Sequence, residues 1–382
     1  MAEYAKLGDL GEIFIGLTYK PENVSTEGTI VLRSSNIQDG ELDFNDIVRV
    51  NCPVRENLLV KQNDILMCSR NGSAKLVGKC TLLPRMSEPM TFGAFMTIIR
   101  TPYNGYLRYF FDSLAFRNQI KGSATTTINQ ITRKMLDDVQ VPIFDIKTQN
   151  QISVQFEKLS MLIALRKEQL AKLDQLVKSR FIELFGDSAN SGNKVLLEDI
   201  SDFVTVGIAN SATHAYADRG IVMLRNQNIK ENYLDENDLI YITPDFAKKY
   251  GSKQLVENDI LVIRTGYPGV ACLVPKKYEG CQTFTTLIVR LKDATSAHAN
   301  YICHYINSSF GKDYVEQSKV GVAQQNFGAK ALAKMPIVIP SIELQKEFAA
   351  FVEQVDKSKL AIQQSLEKLE TLKKSLMQEC FG

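Results

Sequence analysis

The segment Leu170-Ala-Lys-Leu-Asp-Gln-Leu176 returns 196 residues later as Leu366-Glu-Lys-Leu-Glu-Thr-Leu372, and the match runs on to Phe185-Gly186 and Phe381-Gly382. Without a gap it also reaches back to Ile146-Lys-Thr-Gln149 and Ile342-Glu-Leu-Gln345. Apolar residues recur at three-, four- and seven-residue steps within each copy. In the first they are Leu159, Ile163, Leu170, Leu173, Val177 and Leu184; in the second, Val355, Ile362, Leu366, Leu369, Leu376 and Cys380. Such spacing draws one stripe down a helix face. No proline lies between Gln149 and Gly186, and Glu, Gln, Lys and Leu, all good helix formers, dominate. A helix of about 35 residues spans roughly 50 Å, too long to bury its stripe inside a body of about 150 residues. Its expected partner is its own repeat. The plainer alternative is that each stripe merely covers its own body.

Similarity continues upstream, more weakly. Gly28-Thr-Ile-Val-Leu-Arg33-Ser-Ser-Asn36-Ile37 resembles Gly220-Ile-Val-Met-Leu-Arg225-Asn-Gln-Asn228-Ile229, and Asn63-Asp-Ile-Leu66 resembles Asn258-Asp-Ile-Leu261. Long-period self-similarity of this kind marks a duplicated unit. The expected organisation is a first body over 1–145, a helix over 146–186, a second body over 187–340 and a helix over 341–382. The polar stretch Asp187–Lys194 reads as the linker between copies. Short β-branched runs bounded by turn residues, such as Thr29–Arg33, Ile65–Cys68, Phe95–Arg100, Ile221–Arg225, Ile260–Ile263 and Leu287–Leu291, predict strands. Asn104–Gly122 and Asn300–Val320 have helical spacing. The fold class is therefore mixed α/β (α+β), with an internal two-fold repeat.

The 382 residues are 45% hydrophobic and 23% charged, which is ordinary for a globular chain and argues against disorder or low complexity. Apolar runs are far shorter than the roughly 20 residues a membrane helix needs. Met1–Leu10 mixes both charge signs without an apolar stretch, so no secretory signal is expected. Seven cysteines, an odd number with no CxxC pair, fit reduced thiols in a cytoplasm. A net charge of +2 leaves any basic surface to local clustering.

Signals of catalysis are poor. There is no GxGxxG after a strand, no GxxxxGK[ST], and no adjacent proline pair of the Asn/Asp-Pro-Pro-aromatic kind used by amino-methyltransferases. His214, His298 and His304 all lie in the second copy, with His304 aligned to Tyr109, and are read as satisfied surface histidines rather than ligands. The cysteines lack metal spacing and read as buried small apolar residues. Asp137, Asp138, Asp145 and Lys147 imitate a nuclease carboxylate–lysine set, but the second copy puts Ser341 and Glu343 at the last two positions. No catalytic residue, metal ligand or cofactor is expected in the chain.

Matched strand ends are more informative. Arg33-Ser34-Ser35-Asn36 and Arg225-Asn226-Gln227-Asn228 each follow an apolar strand, and Arg70-Asn71-Gly72-Ser73 and Arg264-Thr265-Gly266-Tyr267 each follow a second. Thr125-Thr126-Thr127-Ile128-Asn129-Gln130 in the first copy, and Gln324-Gln325-Asn326 in the second, precede the end of each body. Arginine can bind guanine O6 and N7 with two hydrogen bonds, Asn and Gln can do the same for adenine, and hydroxyls suit phosphate. Such residues also satisfy turns and strand ends. The recurrence of the arginines beside changing neighbours favours one scaffold reading two different DNA sequences.

With these residues in view, the chain resembles the DNA-specificity subunit of type I restriction–modification systems. The resemblance covers essentially the whole length and rests on the body–helix–body–helix order. It rests also on the repeated Leu-Arg-x-x-Asn-Ile (Leu32–Ile37, Leu224–Ile229) and Asn-Asp-Ile-Leu segments, and on the tails ending Phe185-Gly186 and Phe381-Gly382. Before the first tail, the expected proline pair is reduced to Pro142-Ile-Phe-Asp145, whereas Pro336…Pro340 is nearer the pattern.

The resemblance implies a non-catalytic, cytoplasmic subunit without a membrane. Each body would be a target-recognition domain reading one half of a split, asymmetric site in double-stranded DNA. The helices would pair antiparallel as a coiled coil, set the gap and dock two adenine-N6 methyltransferase subunits. Those partners would bind S-adenosylmethionine and flip the adenine. Restriction and translocation subunits would join them. Two modules on one duplex face need centres about 34–36 Å apart, within reach of such a spacer. The alternative from another class is a stand-alone coiled-coil interaction protein with two binding bodies.

Overall fold

Two long helices take up the tails of the repeat, and two bodies of short strands take up the rest. The computed structural model describes residues 3–122, 130–191, 194–209, 212–292, 296–319 and 326–382. Two compact units divide the chain: Met1–Glu168 with Gln363–Gly382, and Gln169–Ile362. Each unit thus holds one body and a part of both long helices.

In the first unit a four-stranded antiparallel sheet runs in the order Glu12–Ile15, Met96–Arg100, Ile65–Cys68, Cys80–Leu82. A second sheet runs Met90–Phe92, Thr29–Leu32, Arg49–Val50, Val24–Ser25, and its first pair is parallel. A ribbon pairs Glu3–Lys6 with Gln140–Ile143.

The second unit repeats this plan strand for strand. One sheet is Ser201–Val206, Leu287–Leu291, Ile260–Val262, Ala271–Leu273. The other is Gln282–Thr283, Ile221–Leu224, Ile240–Ile242, Tyr216–Ala217, again with a parallel first pair. The ribbon is Lys194–Leu196 with Pro336–Val338. The duplication read in the sequence is a duplication of topology. The helical spacing upstream of each tail gives Asn104–Phe110 with Leu114–Gly122, and Ala299–Asn307 with Ser309–Ser318.

The repeated Asn-Asp-Ile-Leu segment has a physical cause. Asn63 and Asn258 both stand at φ 68°, the left-handed region that Asn tolerates. Asp64, 1% exposed, takes two hydrogen bonds from Arg100, at 2.8 and 2.7 Å, and one from the Lys61 backbone N–H at 2.8 Å. Asp259 takes the same two from Arg290, at 2.8 and 2.6 Å, and one from Val256 N–H at 2.9 Å. Each arginine also lies over an aromatic ring, Phe14 at 4.9 Å or Phe203 at 4.6 Å. A buried carboxylate is tolerable only with such bidentate, charge-assisted satisfaction. The following Ile and Leu sit fully in the core.

The long helices are Ile146–Ser191 and Ile342–Phe381, of 46 and 40 residues. Their starts explain another repeated motif. Asp145 caps the first, its Oδ1 accepting from Thr148 N–H at 3.0 Å, and Ser341 caps the second, accepting from Leu344 N–H at 3.4 Å. Gln149 and Gln345 turn back and donate to the carbonyls of Phe144 (2.7 Å) and Pro340 (2.9 Å). The first helix does not stop at Gly186 but continues to Ser191, so the polar stretch read as a linker begins as helix. A helical glycine costs only about 1 kcal/mol relative to alanine, and no proline follows to force a stop.

Within each unit the two helix parts run antiparallel. In the first, Arg166 Nε donates to Ser365 Oγ at 3.2 Å, Lys373 Nζ to Ser160 Oγ at 3.1 Å, and Phe156 stacks on Phe381. In the second, Lys359 pairs with Asp174 at 2.6 Å, Arg180 with Glu347 at 2.7 Å, and Phe181 meets Phe348 edge-on. Leu159, Val177 and Val355 are buried, and Ile163, Leu170, Leu173, Leu184, Ile362, Leu366, Leu369 and Leu376 are half-buried. The stripe serves the body as well as the partner helix. Val177 and Val355 belong to one core with Tyr301, Ile302 and Phe327. The two sequence alternatives are therefore both realised. Among the described residues no helix is long and apolar enough to cross a membrane.

Candidate nucleic-acid interface

In each body three chain segments meet where strands end. In the first unit these are the turn after Thr29–Leu32, the turn after Ile65–Cys68, and the chain at Gln130. Ser34 Oγ accepts from Asn71 Nδ2 at 3.2 Å. Arg70 forms a β-bridge with Gln130 and donates from its guanidinium to the Gln130 side-chain carbonyl. The second unit matches the side-chain contacts, with the bridge displaced by one residue. Asn226 Nδ2 donates to the carbonyl and the hydroxyl of Thr265, both at 3.3 Å, and Arg264 Nε donates to Asn326 Oδ1 at 3.0 Å. Thr265 bridges Asn326. Polar residues far apart in sequence thus converge twice on one plan: Ser34, Arg70, Asn71 and Gln130, and Asn226, Arg264, Thr265 and Asn326. Ser35 is half-buried and Gln227 exposed beside them.

Asn36 and Asn228 hold a different place. They are 1% and 0% exposed. Asn36 Oδ1 accepts the Arg33 backbone N–H at 2.8 Å, and its Nδ2 donates to the carbonyls of Asp43 and Asp46, both at 2.9 Å. Asn228 does likewise with Arg225 N–H (3.0 Å) and the carbonyls of Asp235 (3.0 Å) and Asn237 (2.9 Å). Each amide pins a turn to the following loop and leaves no group for a base edge. Arg33 and Arg225 are tied to that same loop, Arg33 to the Asp46 carboxylate at 2.7 Å and Arg225 to the Asp238 carbonyl at 2.5 Å. The recurrence of Arg-x-x-Asn therefore follows from scaffold geometry, which removes the reason for assigning Asn36 and Asn228 to DNA. Thr126, Asn129, Gln324 and Gln325 lie outside the described residues.

Gln130 and Tyr267 lie in candidate stretches of the sequence, whereas Phe95 reads only as part of a strand. Phe95, 55% exposed, lies under the Arg70 guanidinium at 5.6 Å. Tyr267, 83% exposed, follows Arg264 by three residues. Gln130-Ile131 and Asn326-Phe327 share a signal that singles out the glutamine within its stretch: an amide followed by a buried apolar residue just before a short helix.

The nuclease-like set comes apart. Asp138 pairs with Lys6 at 2.8 Å, which holds its carboxyl below the usual range, and Asp145 is the helix cap. Asp137 lies near Arg133. Among the described residues no group of three His, Cys, Asp or Glu side chains could hold a metal ion. Burial pushes the Cys272 thiol up to about 12 and those of Cys80 and Cys303 well above their ordinary value, so these cysteines pack as protonated thiols. His304 is not on the surface as expected. It is 8% exposed and wedged against Phe181 and Phe348, because the helix Ala299–Asn307 is buried from Tyr301 to Asn307; Tyr109, at the matching place, likewise fills the core of the first unit.

A family model described as the type I restriction modification DNA specificity domain matches residues 193–373. The specificity subunit of the type I restriction enzyme EcoKI, from Escherichia coli K12, is 22% identical over 399 residues, covering 96% of this chain and 85% of that protein. The StySPI specificity subunit of Salmonella potsdam is 25% identical over 409 residues, with the same coverage. Residues 193–373 match the specificity-domain model, and nearly the whole chain is similar to type I restriction enzyme specificity subunits. A specificity subunit recognises DNA sequence and is not itself an enzyme; catalysis resides in partner subunits. The fold agrees. A crystal structure of the type I S subunit from M. genitalium superposes with a TM-score of 0.60 at 13% identity, covering 100% of this chain and 96% of that one. A second structure, from work on assembly of a type I system, gives 0.58 at 16%, covering 99% and 97%.

Proposed function

We propose that this specificity subunit reads a split, asymmetric site in double-stranded DNA, one half with each of two target-recognition domains, residues 1–145 and 187–340. The observation that carries the reading is chemical difference on a shared plan. Ser34, Asn71 and Gln130 in one body stand where Asn226, Thr265 and Asn326 stand in the other. Identical scaffolds with different donors and acceptors suit different half-sites.

The helices over 146–186 and 341–382 are assigned to docking two adenine-N6 methyltransferase subunits, which carry S-adenosylmethionine, with restriction subunits joining that complex in the cytoplasm. Support comes from apolar side chains on the outer helix faces. Leu176 and Leu372, equivalent by the repeat, are 47% and 54% exposed, and Met161, Leu162 and Leu165 are exposed earlier on the first helix. Exposed apolar patches of this kind mark interaction sites.

Sequencing methylated adenines in cells with and without this chain tests the reading. A two-part asymmetric motif that vanishes with the chain is expected. An unchanged methylation pattern would refute it.

A further inference from the structure

Resting on the reading above, the geometry points to Arg70 and Arg264 as the guanine-reading residues of the two half-sites, held by Gln130 and Asn326, while the more conspicuous repeated pair Arg33 and Arg225 belongs to the scaffold.

The distinction lies in what each guanidinium is bonded to. Arg33 is paired with a carboxylate, Asp46, and Arg225 with the Asp238 carbonyl. The Nε atoms of both are buried. A guanidinium engaged in this way has lost its charge surplus or its open edge. Arg70 and Arg264 are each held by a neutral side-chain amide, and among the described residues neither has an acidic partner within 4.0 Å. An amide oxygen takes one N–H and leaves the positive charge and the remaining donors in place. With Nε of Arg264 given to Asn326, its two terminal nitrogens form a fork of the kind that meets guanine O6 and N7. Phe95 below Arg70 fixes that plane further, since guanidinium groups stack on aromatic faces. Pre-orientation matters because an arginine loses rotamer freedom when it reads a base, and here most of it is already lost.

Gln130 and Asn326 are thus positioning residues. An acid at either place would keep the shape of the contact and cancel the charge. This separates their role from simple packing.

The test is selection from a pool of randomised DNA duplexes by the full-length chain and its variants, with thermal melting to confirm folding. The wild type is expected to select a two-part motif with guanine in both halves. R70Q should remove the guanine preference, by roughly 10- to 100-fold, in one half only, and R264Q in the other half only. Q130E should act as R70Q does, and N326D as R264Q does, at unchanged melting temperature, while N326Q keeps the preference. Wild-type halves without guanine, or R70Q and R264Q variants that still select it, would overturn the assignment. So would R33Q or R225Q chains that fold normally but change the base selected. A wild-type chain that selects no sequence would instead refute the DNA-reading function itself, and this inference with it.

Discussion

Phe381, in the last turn of the second long helix, stacks on Phe156 of the first with ring centroids 6.1 Å apart, and meets Phe110 edge-on at 5.7 Å. It is 4% exposed and belongs to one core with Leu107, Phe116 and Leu136. The first body is therefore closed by a residue from the far end of the chain. Phe381→Ala removes a buried ring and should cost about 3–5 kcal/mol. The expected readout is a lower urea midpoint for one of two transitions, followed by tyrosine fluorescence, since the chain has 14 tyrosines and no tryptophan. A midpoint that stays put would mean that this ring adds nothing to the core.

Asp64 and Asp259 make parallel predictions in the two units. Removing either carboxylate strands an arginine that is only 21% or 25% exposed. Asp64→Ala or Asp259→Ala should each destabilise its own unit by about 3 kcal/mol or more. The double variants Asp64→Ala/Arg100→Ala and Asp259→Ala/Arg290→Ala should cost less than the sum of their single changes, because no uncompensated charge remains. Strict additivity in denaturant melts would deny the coupling.

These pairs also show how far the sequence could be read. The tails were legible because a single stripe at helical spacing, carried twice without proline, leaves little else to form. The bodies were legible as repeats of short strands. What the repeated motifs do was not legible. Asn63, Asp64, Asn36 and Gln149 recur because a left-handed turn, a buried carboxylate, a loop staple and a helix-start amide are each needed once per copy. Duplication preserves such scaffold residues as firmly as it would preserve a binding residue, so recurrence alone misassigned Asn36 and Asn228. Gln130 stood in a candidate stretch, but its bond to Arg70 crosses 60 residues and was not legible, and Phe95 reads as the edge of a strand.

His304 should make the second unit acid-sensitive. Burial, with the nearby charges of Lys359 and Lys178 and against that of Glu231, lowers its folded pKa from 6.5 to about 3. Between these values the unfolded chain binds a proton that the folded chain refuses, so stability rises with pH and is lost as pH falls below about 6.5. The slope approaches 1.4 kcal/mol per pH unit for one group. Going from pH ~7.5 to ~5.5, the wild type should lose more stability than His304→Phe, which keeps the ring and removes the titration. Equal losses in urea melts would show that the imidazole titrates normally.

The same repeat governs a chain cut after Gly186. Residues 1–186 contain the first body and its helix but lack Phe381, so the cluster of Phe110 and Phe156 is left open. The fragment does carry Phe185, the repeat equivalent of Phe381, which in the full chain packs against Tyr301 at 4.7 Å and Phe348 at 5.6 Å. A second copy can offer its Phe185 to the open cluster, and two copies can do so reciprocally, as a closed two-fold dimer requires. Residues 1–186 should therefore sediment as a dimer and select a symmetric two-part DNA sequence. Phe185→Ala should abolish the dimer, because exposing the cluster outweighs what the remaining helix contacts supply. A folded monomer of this fragment would show that the body closes without a ring from the partner helix, and the reciprocal packing would have to be abandoned.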